Sequence, residues 1–120
     1  MWSELEQWLT SVLLRHMSEA VTHLYLFLYE TTATFAIQVT GSEGVLPESG
    51  SVPPAFTTGE DSFHIDRLFV GDDWQHALDL STRLTRRYIC RGQARDAIAS
   101  IVTEIGFVDG DLTRIWPEPR

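Results

Sequence analysis

Residues 21–39 constrain the fold more than any other part of the chain, because their pattern is typical of strands. Alternate residues of a strand point to opposite sides of a sheet. The first half of this stretch has one aromatic and one aliphatic face, formed by Tyr25, Phe27 and Tyr29 and by Leu24, Leu26 and Leu28. Such a strand is predicted to be central and covered on both sides. After a polar break at residues 31–33 the alternation resumes, which predicts a hairpin with a half-exposed second strand.

Two helices are indicated by apolar side chains at helical spacing. Residues 3–18 form the first, and Ser3 with Glu6 has the spacing of a capping box. The second is capped by Asp72 or Asp73 and runs to residue 91, where arginines suit the negative end of the helix dipole.

The remaining segments complete a predicted α+β fold. A third helix is predicted at residues 93–105, and further strands at residues 63–70 and 112–116. Residues 41–62 are rich in Gly, Pro and Ser and predict a long loop, anchored by Val45 and Leu46 or by Ala55 and Phe56. We therefore expect one domain over residues 1–120. Its predicted parts are an N-terminal helix, an antiparallel sheet of three to four strands with a central hairpin, and two C-terminal helices packed on the sheet.

The overall charge limits the classes of partner. A net charge of −8 argues against nucleic acid or an anionic membrane as the main partner. No apolar run reaches the roughly 18–20 residues of a membrane span. Glu4 and Glu6 stand where a secretory signal needs positive charge, and one cysteine, Cys90, cannot form an internal disulfide. The single cysteine is compatible with a reducing cytoplasm.

No catalytic motif is recognisable. The chain has no lysine, which excludes a P-loop or a Schiff-base mechanism, and its four histidines show no metal-binding spacing. Neither a metal nor a cofactor is predicted. His64 and Asp66 lie two residues apart on a predicted strand and therefore share one side of it. This pair leaves open a small enzyme or ligand-binding domain that uses the His64 and Asp66 region under the loop at residues 41–62.

Acidic residues gather in the long loop, the third strand and the start of the second helix. They are Glu43, Glu48, Glu60, Asp61, Asp66, Asp72 and Asp73. A carboxylate cluster of this kind can steer and bind a basic protein, and it is equally typical of an ordinary solvated surface.

The chain resembles immunity proteins of bacterial polymorphic-toxin and contact-dependent growth inhibition systems. The resemblance lies in the succession of helix, hairpin, strand and a W-x-x-A-L helix ending at Arg-Gly. It is carried by residues 69–78 (FVGDDWQHAL) and 88–92 (YICRG). It implies a cytoplasmic, non-enzymatic inhibitor that binds a cognate toxin domain, often a basic nuclease, and blocks its active site or an essential surface.

The charge then predicts how such an inhibitor works. We expect the acidic loop and the adjoining elements to fill the positive groove of the toxin, through a few desolvated aromatic and charged anchors. The expected contact residues are Phe56, Glu60, Asp61, His64, Asp66, Asp72, Asp73 and Trp74. An acidic adaptor or anti-defence protein with a different partner remains an alternative that shares this surface.

Overall fold

The predicted hairpin forms the middle of the sheet. The computed structural model describes residues 1–45 and 53–117. Strand β1 (His23–Glu30) runs antiparallel to β2 (Thr34–Ser42), with Leu26 opposite Val39. The hairpin prediction is confirmed. However, β2 is largely buried instead of half-exposed, because β3 and β4 pair with its other edge, and it continues past the predicted end at residue 39.

Four more strands flank the hairpin. The short strands β3 (Phe56–Thr57) and β4 (Phe63–Asp66) both pair antiparallel with the outer edge of β2. Strand β5 (Val102–Phe107) lies parallel to β1, and β6 (Thr113–Trp116) lies antiparallel to β5. The described sheet is therefore mixed and has six strands. The predicted antiparallel sheet of three to four strands was wrong in both respects.

The helices are α1 (Trp2–His16), the single turn α2 (Arg67–Val70) and α3 (Trp74–Arg91). Both long helices contribute to the core that covers the aliphatic face of the sheet. Its largest fully buried residues include Leu5, Leu9 and Leu13 of α1, Tyr88 of α3, and Leu24, Leu26, Leu28, Phe35, Ile37 and Ile65 of the strands. The α+β prediction and the N-terminal helix are thus confirmed.

The start of α1 differs from the prediction. The helix begins at Trp2, and no side chain caps it, so the predicted capping box of Ser3 and Glu6 does not form. Instead, the Met1 amino group lies 2.8 Å from the Glu4 carboxylate, which lowers the Glu4 pKa. A negative charge in the first turn also suits the helix dipole.

The third predicted helix does not form. Gly92 ends α3 in extended backbone, as expected for a helix stop, and the chain continues through a 3₁₀ turn, Arg95–Ala97, into β5. Ile101 and Ile105 are buried as predicted, but Ile101 directly precedes strand β5 and Ile105 lies within it. One long C-terminal helix therefore packs on the sheet instead of two.

The predicted strand at residues 63–70 is half as long as expected. It ends at Asp66, because the next four residues turn into α2. The helical turn changes the direction of every side chain beyond Asp66. Phe69 is consequently 71% exposed.

The aromatic face of β1 carries neither α1 nor α3. On this face the rings of His23, Tyr25 and Phe27 stack in sequence, with centroids 6.3 and 6.0 Å apart. Tyr25 is buried, whereas Phe27 and Tyr29 are half-buried. Helices therefore cover the aliphatic side of β1, whereas the cover predicted on its aromatic side is only partial.

The loop at residues 41–62 is anchored by Ala55 and Phe56, one of the two predicted anchors. The Ala55 amide donates to the Gly41 carbonyl at 2.8 Å, and the half-buried Phe56 packs against the core. Val45, which belongs to the other predicted anchor, is 76% exposed and does not pack against the core. Leu46 and Glu48 lie outside the described residues.

Candidate functional site

The segment between β4 and α3 makes two helix starts in quick succession. The Asp66 carboxylate accepts a hydrogen bond from the Leu68 amide at 2.9 Å and begins α2. The Asp73 carboxylate accepts one from the Gln75 amide at 2.9 Å and begins α3. Between them Gly71 adopts φ 70 and ψ −156, a conformation essentially restricted to glycine. Two of the predicted partner contacts, Asp66 and Asp73, are thus helix caps.

Arg67 fixes this segment to the sheet. Its Nη1 donates to Asp72 at 3.1 Å, and its Nη2 donates to the Thr31 carbonyl at 2.9 Å in the hairpin turn. The guanidinium carbon lies 4.4 Å from the centre of the Phe35 ring, an energetically favourable cation–π position. Because α2 is held by these contacts, the residues that follow Arg67 have a defined position.

The fixed segment presents large apolar side chains to solvent. Leu68 is 93% exposed, Phe69 71% and Trp74 49%. We call these three residues the corner patch. Single exposed apolar residues are common on protein surfaces, but three within seven residues, on a rigidly held segment, are typical of an interaction site.

A cavity of about 540 Å³ opens beside Trp74. It lies at the carboxyl ends of the parallel strands β1 and β5, the edge at which open sheets with parallel strands commonly bind ligands. Its described lining residues are Tyr29, Glu30, Trp74, Phe107, Val108, Asp109 and Gly110. The Trp74 ring meets the Phe107 ring edge to face, at 5.7 Å and 89°.

The two acidic side chains of the cavity come from the ends of neighbouring strands. Glu30 closes β1, and Asp109 lies in the turn after β5, where the Val108 amide donates to the Leu28 carbonyl at 3.0 Å. Both acidic residues are exposed, and none of the described lining residues is basic. The cavity therefore combines an aromatic wall with negative charge.

Three predicted contacts lie at a different part of the sheet. Phe56 stacks on His16 of α1 with ring centres 5.0 Å apart, and Glu60 is exposed in the following turn. The Asp61 carboxylate lies 2.7 Å from Arg15 and accepts from the Trp8 indole at 3.2 Å. Two hydrogen bonds lower the Asp61 pKa, with the larger effect from Arg15 and the smaller from Trp8.

The predicted contacts therefore fall into two groups along β2. Phe56 pairs with Gly41, whereas Asp66 pairs with Thr34 at the other end of the strand. Seven residues at about 3.3 Å each separate the two positions by roughly 23 Å. Asp66, Asp72, Asp73 and Trp74 lie at the corner patch end, and Phe56 lies at the opposite end.

His64 and Asp66 are engaged with different partners. The His64 imidazole Nδ1 is 2.8 Å from the Thr34 hydroxyl, on the exposed side of β4. The Asp66 carboxylate is turned to the Leu68 amide. The two side chains share an exposed side of β4 as predicted, and each is used to hold local structure.

Sequence reasoning missed several residues of this end of the molecule. The sequence pattern predicts a strand over Leu68 and Phe69, and no motif marks Phe107 or Asp109. One local signal was available, since Asp66 stands two residues before Leu68, at a helix-capping position, and Gly71 follows as a stop. The cavity itself depends on the pairing of β1 with β5, which no local pattern encodes.

Residues 1–45 and 53–117 contain no group of three or more His, Cys, Asp or Glu side chains placed to hold a metal ion. No helix in the same ranges is long and apolar enough to cross a membrane. Compared with protein-family models, curated proteins and solved structures, the chain matches none of them.

Proposed function

We propose that this protein is a non-enzymatic cytoplasmic inhibitor that binds a basic protein, in the manner of an immunity protein that neutralises a cognate toxin domain. The observation that carries the proposal is the corner patch, Leu68, Phe69 and Trp74, bordered by the acidic residues Asp72 and Asp73. Exposed apolar and aromatic anchors beside charged residues are the usual composition of a protein-binding surface.

Rigidity supports this use of the patch. Binding costs less when the contacting side chains are already held in position, because less conformational entropy is lost. Arg67 holds α2 through Asp72, Thr31 and Phe35, and the Asp66 cap holds its first turn. The patch is thus built as a preformed surface that a partner can cover.

Charge supports the choice of a basic partner. The chain carries 17 acidic and 9 basic residues. Near the patch Arg67 is already paired with Asp72, whereas Glu30 and Asp109 are exposed at the neighbouring cavity. A negative surface accelerates association with a positive one, and the association rate falls as salt rises. A basic toxin domain, such as a nuclease, fits this surface.

The test is capture of the partner from the native host, followed by affinity measurements with the purified partner. We expect one stoichiometric partner with a basic domain, and faster association at low salt. Leu68→Ser combined with Phe69→Ser should raise the Kd by about 100-fold or more, because two apolar anchors are lost. Protection of cells that produce the partner should be lost in parallel.

Leu14→Ser is the matched control. Leu14 is a large apolar residue, 74% exposed on α1, so this change removes a comparable side chain away from the patch. The control should bind as the wild type does. Unchanged affinity in the double variant, or an equal loss in the Leu14 variant, would contradict the proposed surface.

A further inference from the structure

We infer that the cavity beside Trp74 receives a guanidinium group, supplied by an arginine side chain of the basic partner. This inference deepens the proposed function and rests on it only for the source of the arginine. The recognition chemistry itself belongs to the cavity, and it can be tested with a small arginine derivative alone.

The cavity has the size and walls for such a group. About 540 Å³ is more than one arginine side chain fills, so the guanidinium can enter with part of its own chain. Trp74 is half exposed, and its packing edge to face on Phe107 leaves ring surface accessible from the cavity. A planar, weakly hydrated guanidinium stacks on such a ring more readily than an ammonium does.

Charge selects a cation over a neutral guest. Glu30 and Asp109 line the cavity, no basic residue is among its described lining, and carboxylates accept paired hydrogen bonds from a guanidinium. Both carboxylates are exposed, so the free protein pays no desolvation cost for them. A guanidinium can therefore combine ring contact with charge-assisted hydrogen bonds.

The protein already uses the same contact twice within its own fold. The guanidinium carbon of Arg67 lies 4.4 Å from the centre of the Phe35 ring, and that of Arg87 lies 4.4 Å from the centre of the Trp2 ring. Phe35 in turn packs edge to face on Phe107, at 6.2 Å. A guanidinium bound at Trp74 would make the same kind of contact at a ring that also packs on Phe107.

The experiment is an NMR titration of the full chain, observing the indole N–H signals of its four tryptophans. The Trp74 signal is identified by its loss in Trp74→Phe. The probe is N-acetylarginine methylamide, and the comparison is its citrulline counterpart, which has nearly the same shape and no charge. We expect arginine to shift the Trp74 indole signal with a Kd on the order of 1–10 mM, and citrulline to bind at least about tenfold more weakly.

Charge variants locate the effect. Glu30→Gln with Asp109→Asn should weaken arginine binding by about fivefold or more. Glu19→Gln with Glu43→Gln removes the same charge at the opposite ends of β1 and β2, where both residues are exposed, and should leave binding unchanged.

Three outcomes would overturn the inference: no arginine-dependent shift at Trp74, equal binding of citrulline, or an equal loss in the Glu19 and Glu43 variant. Failure of the proposed function has a different signature. Arginine would then still bind in the cavity, while the Leu68 and Phe69 double variant would retain its protein partner. Conversely, a partner that needs the corner patch but binds the cavity variants as tightly as wild type would support the function and show that its arginine does not occupy the cavity.

Discussion

The carboxylate of Asp61 lies 2.7 Å from the guanidinium of Arg15 and joins the segment between β3 and β4 to α1. The Trp8 indole donates to the same carboxylate at 3.2 Å. Both hydrogen bonds favour the charged form, so the folded-state pKa of Asp61 lies below its unfolded value. A depressed folded pKa stabilises the fold above the unfolded pKa, and that contribution is lost as the pH falls through the folded pKa.

Replacing Asp61 by Asn should therefore destabilise the protein in a pH-dependent way. At about pH 7 we expect the free energy of unfolding to fall by about 0.5–1 kcal/mol, the range of a well-formed exposed ion pair. The difference from wild type should shrink below about pH 4 and disappear at lower pH. Urea titrations across this range provide the measurement, with Glu60→Gln as the neighbouring control. A difference that persists undiminished in acid would show that the ion pair is not its source.

A buried hydroxyl pair links the two long helices. The Thr10 hydroxyl and the Tyr88 hydroxyl are 2.6 Å apart, and the Ala94 amide also donates to Tyr88 at 3.2 Å. Tyr88→Phe leaves the Thr10 hydroxyl and the Ala94 amide without the Tyr88 hydroxyl as their partner. The free energy of unfolding should therefore fall by about 1–3 kcal/mol. Tyr29→Phe removes a hydroxyl that is bonded to Ser62 in a half-buried setting, and it should cost less. Equal losses in the two variants, measured by urea unfolding, would contradict this account.

The elements predicted correctly are those whose apolar pattern fits only one type of secondary structure and whose pairing partner is close in sequence. Residues 23–42 alternate as strands and pair across a short turn, so the pattern contains the hairpin. Ile101 and Ile105 fit a helix stripe and also fit alternate positions of a strand. The choice between them is made by β1, which accepts β5 as a parallel partner through pairs such as Leu26 with Ile105. That partner is distant in sequence, and no local propensity identifies it.

The candidate site was only partly predictable, because side-chain charge does not reveal what a carboxylate contacts. Asp66 and Asp73 cap helices, and Asp61 and Asp72 pair with arginines, so these acids hold the fold. Neutralising them together would confuse loss of structure with loss of binding. Trp74 stays a predicted partner contact, and the cavity beside it depends on the parallel pairing of β1 with β5.

The cap at Asp73 should be a measurable part of the stability. Asp73→Ala removes the acceptor for the Gln75 amide and should lower the free energy of unfolding by about 0.5–2 kcal/mol. Asp72→Ala is the matched change at the adjacent residue. It removes an ion pair to Arg67 from a side chain that is 92% exposed, and should cost at most about 1 kcal/mol. Thermal unfolding of the two variants compares them directly, and a larger loss for Asp72 would reverse the assignment.

The last prediction concerns Gly106 in β5, next to the cavity. A Cβ at this position would overlap the backbone carbonyl oxygen of Asp111, and the Leu112 Cα would lie 3.2 Å away. Backbone atoms cannot swing aside as a side-chain end can. Gly106→Ala should therefore displace the turn that follows β5 and lower the free energy of unfolding by about 1–3 kcal/mol.

Gly110 provides the contrast within the same turn. A Cβ there would meet the Phe107 Cβ at 3.7 Å, an ordinary contact, so Gly110→Ala should change the free energy of unfolding by less than about 0.5 kcal/mol. Because the displaced turn carries Asp109, Gly106→Ala should also weaken arginine binding in the cavity while the variant remains folded. Urea unfolding and the indole titration measure the two effects separately. If Gly106→Ala bound arginine as tightly as wild type, the position of this turn would not control the cavity, and Asp109 would not be one of its working carboxylates.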